Sequence, residues 1–338
     1  MKKNIVLIIV AICLIIAGAA LVGAALVAAD FSLSGLASEK FEEVTHTVNG
    51  DFEHIMISTD IHNVTLAPST DSVCRIVGSE SDALAIEAEI EDNILVVKIK
   101  DDRKWYDHIG IYTDEADMTL YLPKSIYTSL TVATLTGDVL ILEDFTFDGA
   151  AIAASTADIS VFAKIEGELA LACSTGDITV SGVNPTKLDA SVSTGDIHIE
   201  NVTTEGKITL ECSSGEVELH GVEAGEIVSK GTTSDILLKN VIVENEINIK
   251  RSTGDVTLTS TLSGSLVIET SSGDVELNLS DAESIDIKTS TGKVDAILLS
   301  DKIFKCSSSS GSIRIPDTHS GGVCKVTTST GNIHITID

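Results

Sequence analysis

Aromatic residues are scarce in this chain, with one Trp, four Tyr and seven Phe among 338 residues. A core built almost without rings is aliphatic and β-branched, suited to narrow, regular packing. Few rings remain on which a sugar could stack. Positive charge is scarce as well: 22 Lys and Arg face 51 Asp and Glu, a net charge of −29. Lys2 and Lys3 are the only basic residues before position 30, so the remainder sets 20 basic against 51 acidic residues, a balance of −31. Such a surface repels phosphate backbones and anionic headgroups, which excludes nucleic acid as a partner. The eight His are scattered without metal-ligand spacing. A glycosidase needs two carboxylates at a set separation, and no pair stands out among the many here. No catalytic residue, cofactor or resident metal is expected, and the chain does not read as an enzyme.

One long apolar run is present, at the start. Ile5 to Ala29 offers 25 apolar or small positions without a charge, enough for a membrane-crossing helix, which needs about 20. Val27-Ala28-Ala29 resembles a cleavage site, but a cleaved signal has a shorter apolar core of roughly 7–15 residues. Residues 1–29 are therefore read as a cytoplasmic start and an uncleaved transmembrane anchor. Lys2 and Lys3 hold the start inside, which places the body outside the cytoplasm. Small residues such as Gly18, Gly23 and Ala24 would let a neighbouring helix approach closely. Residues 30–40 read as a linker.

The body repeats itself. CSTGDITVSG at 173–182 returns as VSTGDIHIEN at 192–201 and RSTGDVTLTS at 251–260. Taking the glycine of S-T-G as the centre, copies fall at Gly137, Ala157, Gly176, Gly195, Gly215, Ser234, Gly254, Gly273, Gly292, Gly311 and Gly331. Every interval is 19 or 20 residues over eleven copies. A period this strict marks a solenoid whose units bury their apolar side only by stacking. Two residues after the centre every copy is Val or Ile, and two further on every copy is apolar. Alternation with period two means strands with one face inward. Gly or Asn nine before the centre (Gly167, Gly206) and six after it (Gly182, Asn201) mark further corners, because both tolerate positive φ. The fold is therefore all-β, a parallel solenoid of eleven coils over residues 130–338. Residues 41–129 are read as an N-terminal cap with irregular first coils. Cys173 and Cys212 share an inward column with a whole coil, carrying Val192, between them, about 10 Å apart and too far for a disulfide. Buried small hydrophobes are the expected role.

Candidate surfaces are few. One residue after the centre, Asp138, Asp158, Asp177, Asp196, Glu216, Asp235, Asp255 and Asp274 put eight consecutive carboxylates on one edge. Neighbours about 5 Å apart repel by roughly 0.9 kcal/mol in water, which a Ca²⁺ ion could relieve. The plainer expectation is that each carboxylate hydrogen-bonds the backbone of its own turn. The column also breaks at Lys293, and the nonapeptide of calcium-binding β-rolls is absent. Four before the centre, the outward residues run from Ala133, Ala153 and Ala172 to Glu211, Lys230, Lys250, Glu269 and Lys288. The charged stretch can pair across coils, and the alanine patch is flat enough to receive a partner. Trp105 and Tyr106, in the most polar loop, are candidate partner contacts. The last coil stops at Asp338 with no cap, and an uncapped strand edge invites end-to-end self-association.

These features resemble a bacterial "putative adhesin" family: an N-terminal anchor, a lead like FSLSGLASEKFEEVTHTV, and stacked S-T-G-D-[IV] coils. MTLYLPKSIYTSLTVATLTGDVLI at 118–141 looks like that family's entry into the repeat. The resemblance covers roughly 40–338. It implies a right-handed β-helix, membrane association and a role in envelope stress, with no catalytic residues to carry over. The functional expectation is an adhesion or envelope-interaction module that binds an envelope glycan or protein. The alternative functional expectation is an accessory or sensor subunit of a membrane complex concerned with envelope stress. A carbohydrate-active β-helix enzyme is a further alternative, which the constant coil length disfavours because it leaves no long loops to build a cleft.

Overall fold

The computed structural model describes residues 41–102 and 116–338. The apolar N-terminal run, the linker, Trp105 and Tyr106 lie outside the described residues. Among the described residues every regular element is a β-strand, and no helix is long and apolar enough to cross a membrane. The chain divides into two units. The described part of the smaller is Phe41–Glu42, Glu80–Ala85 and Lys100–Asp102, tied by backbone bonds from Ser81 to Leu84 and from Asp102 to Ala83, both 2.9 Å. The larger unit, Glu43–Ser79, Ile86–Ile99 and Ala116–Asp338, is a parallel β-solenoid.

Each coil carries a longer strand, the glycine corner and a shorter strand. The longer strands pair in register from coil to coil, so that Leu130, Ala150, Leu169, Leu188 and Ile208 form one column. The shorter strands do the same through Val139, Ile159, Ile178, Ile197 and Val217. Both columns point inward and are almost wholly buried. Each buried Ile or Leu contributes about 1.5–3 kcal/mol of transfer energy, so register is set by the apolar period itself. Four rings gather at one place: Tyr127 stacks between Phe52 and Phe147, with centroids 5.9 and 5.7 Å apart, and Phe145 lies 6.2 Å from Phe147.

The corner explains the repeated glycine. Gly195 sits at φ +137°, and a Cβ there would lie 2.1 Å from the Gly176 carbonyl oxygen one coil back. Gly176 and Gly215 are held in the same way. The strand pairing brings successive corners so close that a methyl group does not fit, which adds to the need for positive φ. The second corner, six residues after the centre, has positive φ at Gly182, Asn201, Gly221 and Asn240, as the sequence indicates, and also at Ser260 and Leu279.

Layer order departs from chain order at both ends. The chain's first coil, strands His54–Thr59 and His62–Pro68, lies inside the stack. It pairs on one side with strands Ile94–Asp101 and Ala116–Leu122, and on the other with Ile126–Thr134 and Val139–Ile141. The end layer so formed carries strand Cys74–Glu80 antiparallel along Ala116–Leu122, with Arg75 opposite Tyr121. At the other end, strand Gly322–Thr330 of the last coil pairs with Asp281–Thr291 on one side and Lys302–Ser310 on the other. The last coil is therefore sandwiched. The expectation that it forms the bare end of the stack is corrected: the end layer is the Gly311 coil, which leaves and returns around the chain terminus.

Candidate interaction surfaces

The acidic edge is a hydrogen-bonded ladder between coils. The Asp158 amide donates to Asp138 Oδ1 at 2.9 Å, that of Asp177 to Asp158 Oδ1 at 2.8 Å, and that of Asp196 to Asp177 Oδ1 at 2.8 Å. Glu216 continues it onto Asp196 at 2.7 Å, and after a break the amides of Asp255, Asp274 and Lys293 donate to Asp235, Asp255 and Asp274. The break follows Glu216. The shared acceptor reaches the next coil rather than its own turn, because parallel stacking places the following amide directly above it. One oxygen of each Asp acceptor is thus committed to structure. Among the described residues no group of three or more His, Cys, Asp or Glu is arranged to hold a metal ion.

The column three before the centre turns out to be a second ladder. Cys173 Sγ donates to Ala157 O at 3.0 Å and Cys212 Sγ to Gly195 O at 3.4 Å. Thr289 and Thr328 Oγ1 donate to Gly273 and Gly292 O, at 3.3 and 3.2 Å. The cysteines are therefore weak donors at the inner side of the corner, interchangeable with Thr, as well as buried apolar groups. Burial pushes the Cys324 thiol up to about 12 and that of Cys74 to about 11.

Arg251 occupies the same column, 4% exposed, with Nη2 on Ser229 Oγ at 2.8 Å. Its Nε has no hydrogen-bond partner, and burial lowers its pKa to about 10. Gly231, one coil back, makes the room: a Cβ there would lie 2.9 Å from Arg251 Cδ. The glycine in an otherwise larger-residue column is the sequence signal for this long side chain.

The alanine patch is real and wider than the one column indicates. Ala133, Ala153 and Ala172 are neighbours in register, and Ala151 and Ala170 lie beside them. Together they floor a shallow concavity of about 580 Å³ whose far rim is Asp189, Ser191, Thr209 and Glu211. Short side chains on successive strands lower the sheet surface there, and longer polar ones beyond raise it. Along the same face the charged residues pair across coils as expected, Lys230 with Glu211 at 3.6 Å and Glu269 with both Lys250 and Lys288, at 3.2 and 3.1 Å. Exposed pairs of this kind are worth a few tenths of a kcal/mol each.

Among the described residues one ion pair lies inside. Lys302 Nζ is 2.6 Å from Asp281 Oδ1, with the side chains 4% and 9% exposed. Asp281 Oδ2 also accepts from Ser300 Oγ at 2.7 Å and the Leu299 amide at 3.1 Å. The pair joins the two layers that flank the last coil.

Fold and surfaces together define, among the described residues, a parallel β-solenoid whose coils from Gly137 to Gly331 keep an interval of 19 or 20 residues. The chain belongs to the Toastrack DUF4097 family, which it matches over residues 52–229 and 206–338. No curated protein sequence matches it. Solved structures that are similar include a "putative adhesin" from Bacteroides fragilis, 12% identical, TM-score 0.40, covering 88% of this chain and 98% of that one. Another "putative adhesin", from Parabacteroides merdae, is 15% identical with TM-score 0.46, covering 71% and 96%. A "putative lipid binding protein" from Parabacteroides distasonis is 13% identical with TM-score 0.47, covering 75% and 98%. None of these names is that of an enzyme.

Proposed function

We propose that this chain is a membrane-anchored, extracytoplasmic adhesion module that holds a glycan or protein of the cell envelope against one face of its solenoid. The observation that carries the reading is the alanine floor. It is an apolar concavity on an otherwise strongly acidic body, backed by a rigid parallel sheet that needs no rearrangement to receive a partner. The 25-residue apolar run ahead of the solenoid supplies the anchor in this reading. The ladder engages only Oδ1 of Asp138, Asp158, Asp177 and Asp196, which leaves room for a cation bridge from the other oxygen to an acidic glycan, Ca²⁺ being the natural candidate.

The test is binding of the full chain in detergent to envelope fractions, with and without EDTA, beside an Ala153→Lys variant. Ala153 is exposed, so the variant keeps the core intact. Retention on purified wall polymer or glycan, lost in the variant, supports adhesion. Loss with EDTA adds the Asp column as a cation bridge. Retention of a membrane protein alone, unaffected by the variant, supports the accessory-subunit reading instead. Protease shaving of intact cells tests the topology: a body outside the cytoplasm is digested.

A further inference from the structure

The end layer of the stack is built like an interior layer, and no described strand lies above it. In the Gly311 coil, Ile313 and Ile315 are 40% and 39% exposed. Their counterparts in the Gly176 coil, Ile178 and Val180, are both fully buried. Phe304 and Cys306 stand in columns where Leu169 and Leu171 are buried, yet both are only half-buried. The inner columns of the solenoid thus reach solvent here. Strand Lys302–Ser310 pairs only with Gly322–Thr330 among the described residues, so its other edge is open. The Ser310 carbonyl accepts from the Gly331 amide, toward the stack. Counting back in twos, Ser308 and Cys306 also face the stack, whereas Ser307 and Ser309 present N–H and C=O outward.

The two ends differ. The opposite end layer has strand Cys74–Glu80 laid antiparallel along it, which closes that edge to head-to-tail stacking. Charge selects the same contact. Residues 281–338 hold six basic and seven acidic residues, a balance of −1, whereas the rest of the chain carries −28 of the total −29. The end layer itself, residues 301–320, is net positive, with Lys302, Lys305 and Arg314 against Asp301 and Asp317. Net charge therefore opposes contact through the rest of the body more than contact through this end.

We infer that the chain pairs tail to tail with a second copy of itself, strand Lys302–Ser310 lying antiparallel to its twin across a two-fold axis. Such a contact is isologous and closed, so it stops at a dimer. It joins two open strand edges and covers Ile313, Ile315, Phe304 and Cys306. Its use as an adhesive contact rests on the reading proposed above: with the anchor at the start of the chain, the pairing end is the one further along the stack, and the dimer bridges two facing surfaces. The pairing itself stands without that reading.

Sedimentation of the full chain in detergent, and clustering of vesicles that carry it outward, test the two parts separately. Ser307→Pro removes an outward N–H without touching the inner ladder, and Ile313→Lys puts a charge in the contact. Both are expected to raise the dimer dissociation constant by about tenfold or more, with unchanged circular dichroism and melting. A dimer that survives both variants, or a wild-type chain that is monomeric at high concentration, overturns the pairing. Vesicles that cluster with the wild-type chain and not with the variants support it, since contacts between transmembrane helices cannot bridge vesicles. A variant-sensitive dimer without clustering supports the pairing and sinks its adhesive use alone.

Discussion

Lys302 reaches past the chain's last coil to Asp281, and the two close a buried ion pair at 2.6 Å. The lysine belongs to the end layer and the aspartate to the Gly292 coil, and Gly322 of the last coil lies in register with Lys302. Gly322 is compelled: a Cβ would stand 1.6 Å from the Glu283 carbonyl oxygen. Ion pair and glycine together fasten the layer that the chain terminus slides beneath.

Removing one partner of that pair strands the other charge in the interior. Lys302→Ala or Asp281→Ala is expected to cost about 3–5 kcal/mol. Denaturant melts measure the loss, and hydrogen exchange should place it in strand Gly322–Thr330 first. A paired apolar replacement, Lys302→Met with Asp281→Leu, recovers most of it if desolvated charge is the cause.

The corner glycines predict an asymmetry. Gly195→Ala forces a methyl against the Gly176 carbonyl at positive φ and should cost about 1–3 kcal/mol. Ala157→Gly, at a corner that already holds a methyl, should cost no more than about 1 kcal/mol. Equal losses in thermal melts would refute close approach as the reason for the glycine.

The acidic ladder separates hydrogen bonding from cation binding. Asp177→Ala orphans the Asp196 amide, an expected loss of about 1–3 kcal/mol. Asp177→Asn keeps an acceptor oxygen and removes a charge from a repelling row, so it should be neutral or stabilising. If the row binds Ca²⁺, the wild-type melting temperature rises with added Ca²⁺ and the Asn variant loses the gain.

Buried thiols predict an alkaline limit. Cys324 is held up to about 12 by burial, from an ordinary value of 9.0. A raised folded pKa stabilises fully below pH 9 and is lost as pH rises toward 12, because the unfolded thiol ionises first. Stability should therefore fall over this window, and Cys324→Ala should flatten the fall. Cys306, half-buried at the open end, should label before Cys324 at neutral pH.

The coil was legible because stacking forces every unit to repeat the same apolar columns, from Val139 to Ile333. The alanine floor was legible in one column, Ala133 to Ala172, and missed in the next, where Ala151 and Ala170 complete it. Layer order was not legible. A coil of constant cross-section fits above or below any other, so the inward residues of the Gly311 and Gly331 coils do not say which lies outermost. The faint signals are the Gly321-Gly322 pair, at a corner where the other coils have at most one glycine, and Lys302, the single basic residue nine before the centre. The thiol ladder was hidden because Cys reads as a hydrophobe until its corner carbonyl is seen.

One measurement bears most directly on the layer order and hence on the open end. Lys325 lies opposite both Asp286 and Lys305, so Asp286 and Lys305 are two layers apart, about 10 Å. Cysteines at 286 and 325 should form a disulfide on mild oxidation, because strand neighbours fall within its reach. Cysteines at 286 and 305 should not. The reverse result, a bond between 286 and 305 and none between 286 and 325, would mean that the coils stack in chain order and that the last coil is the open end.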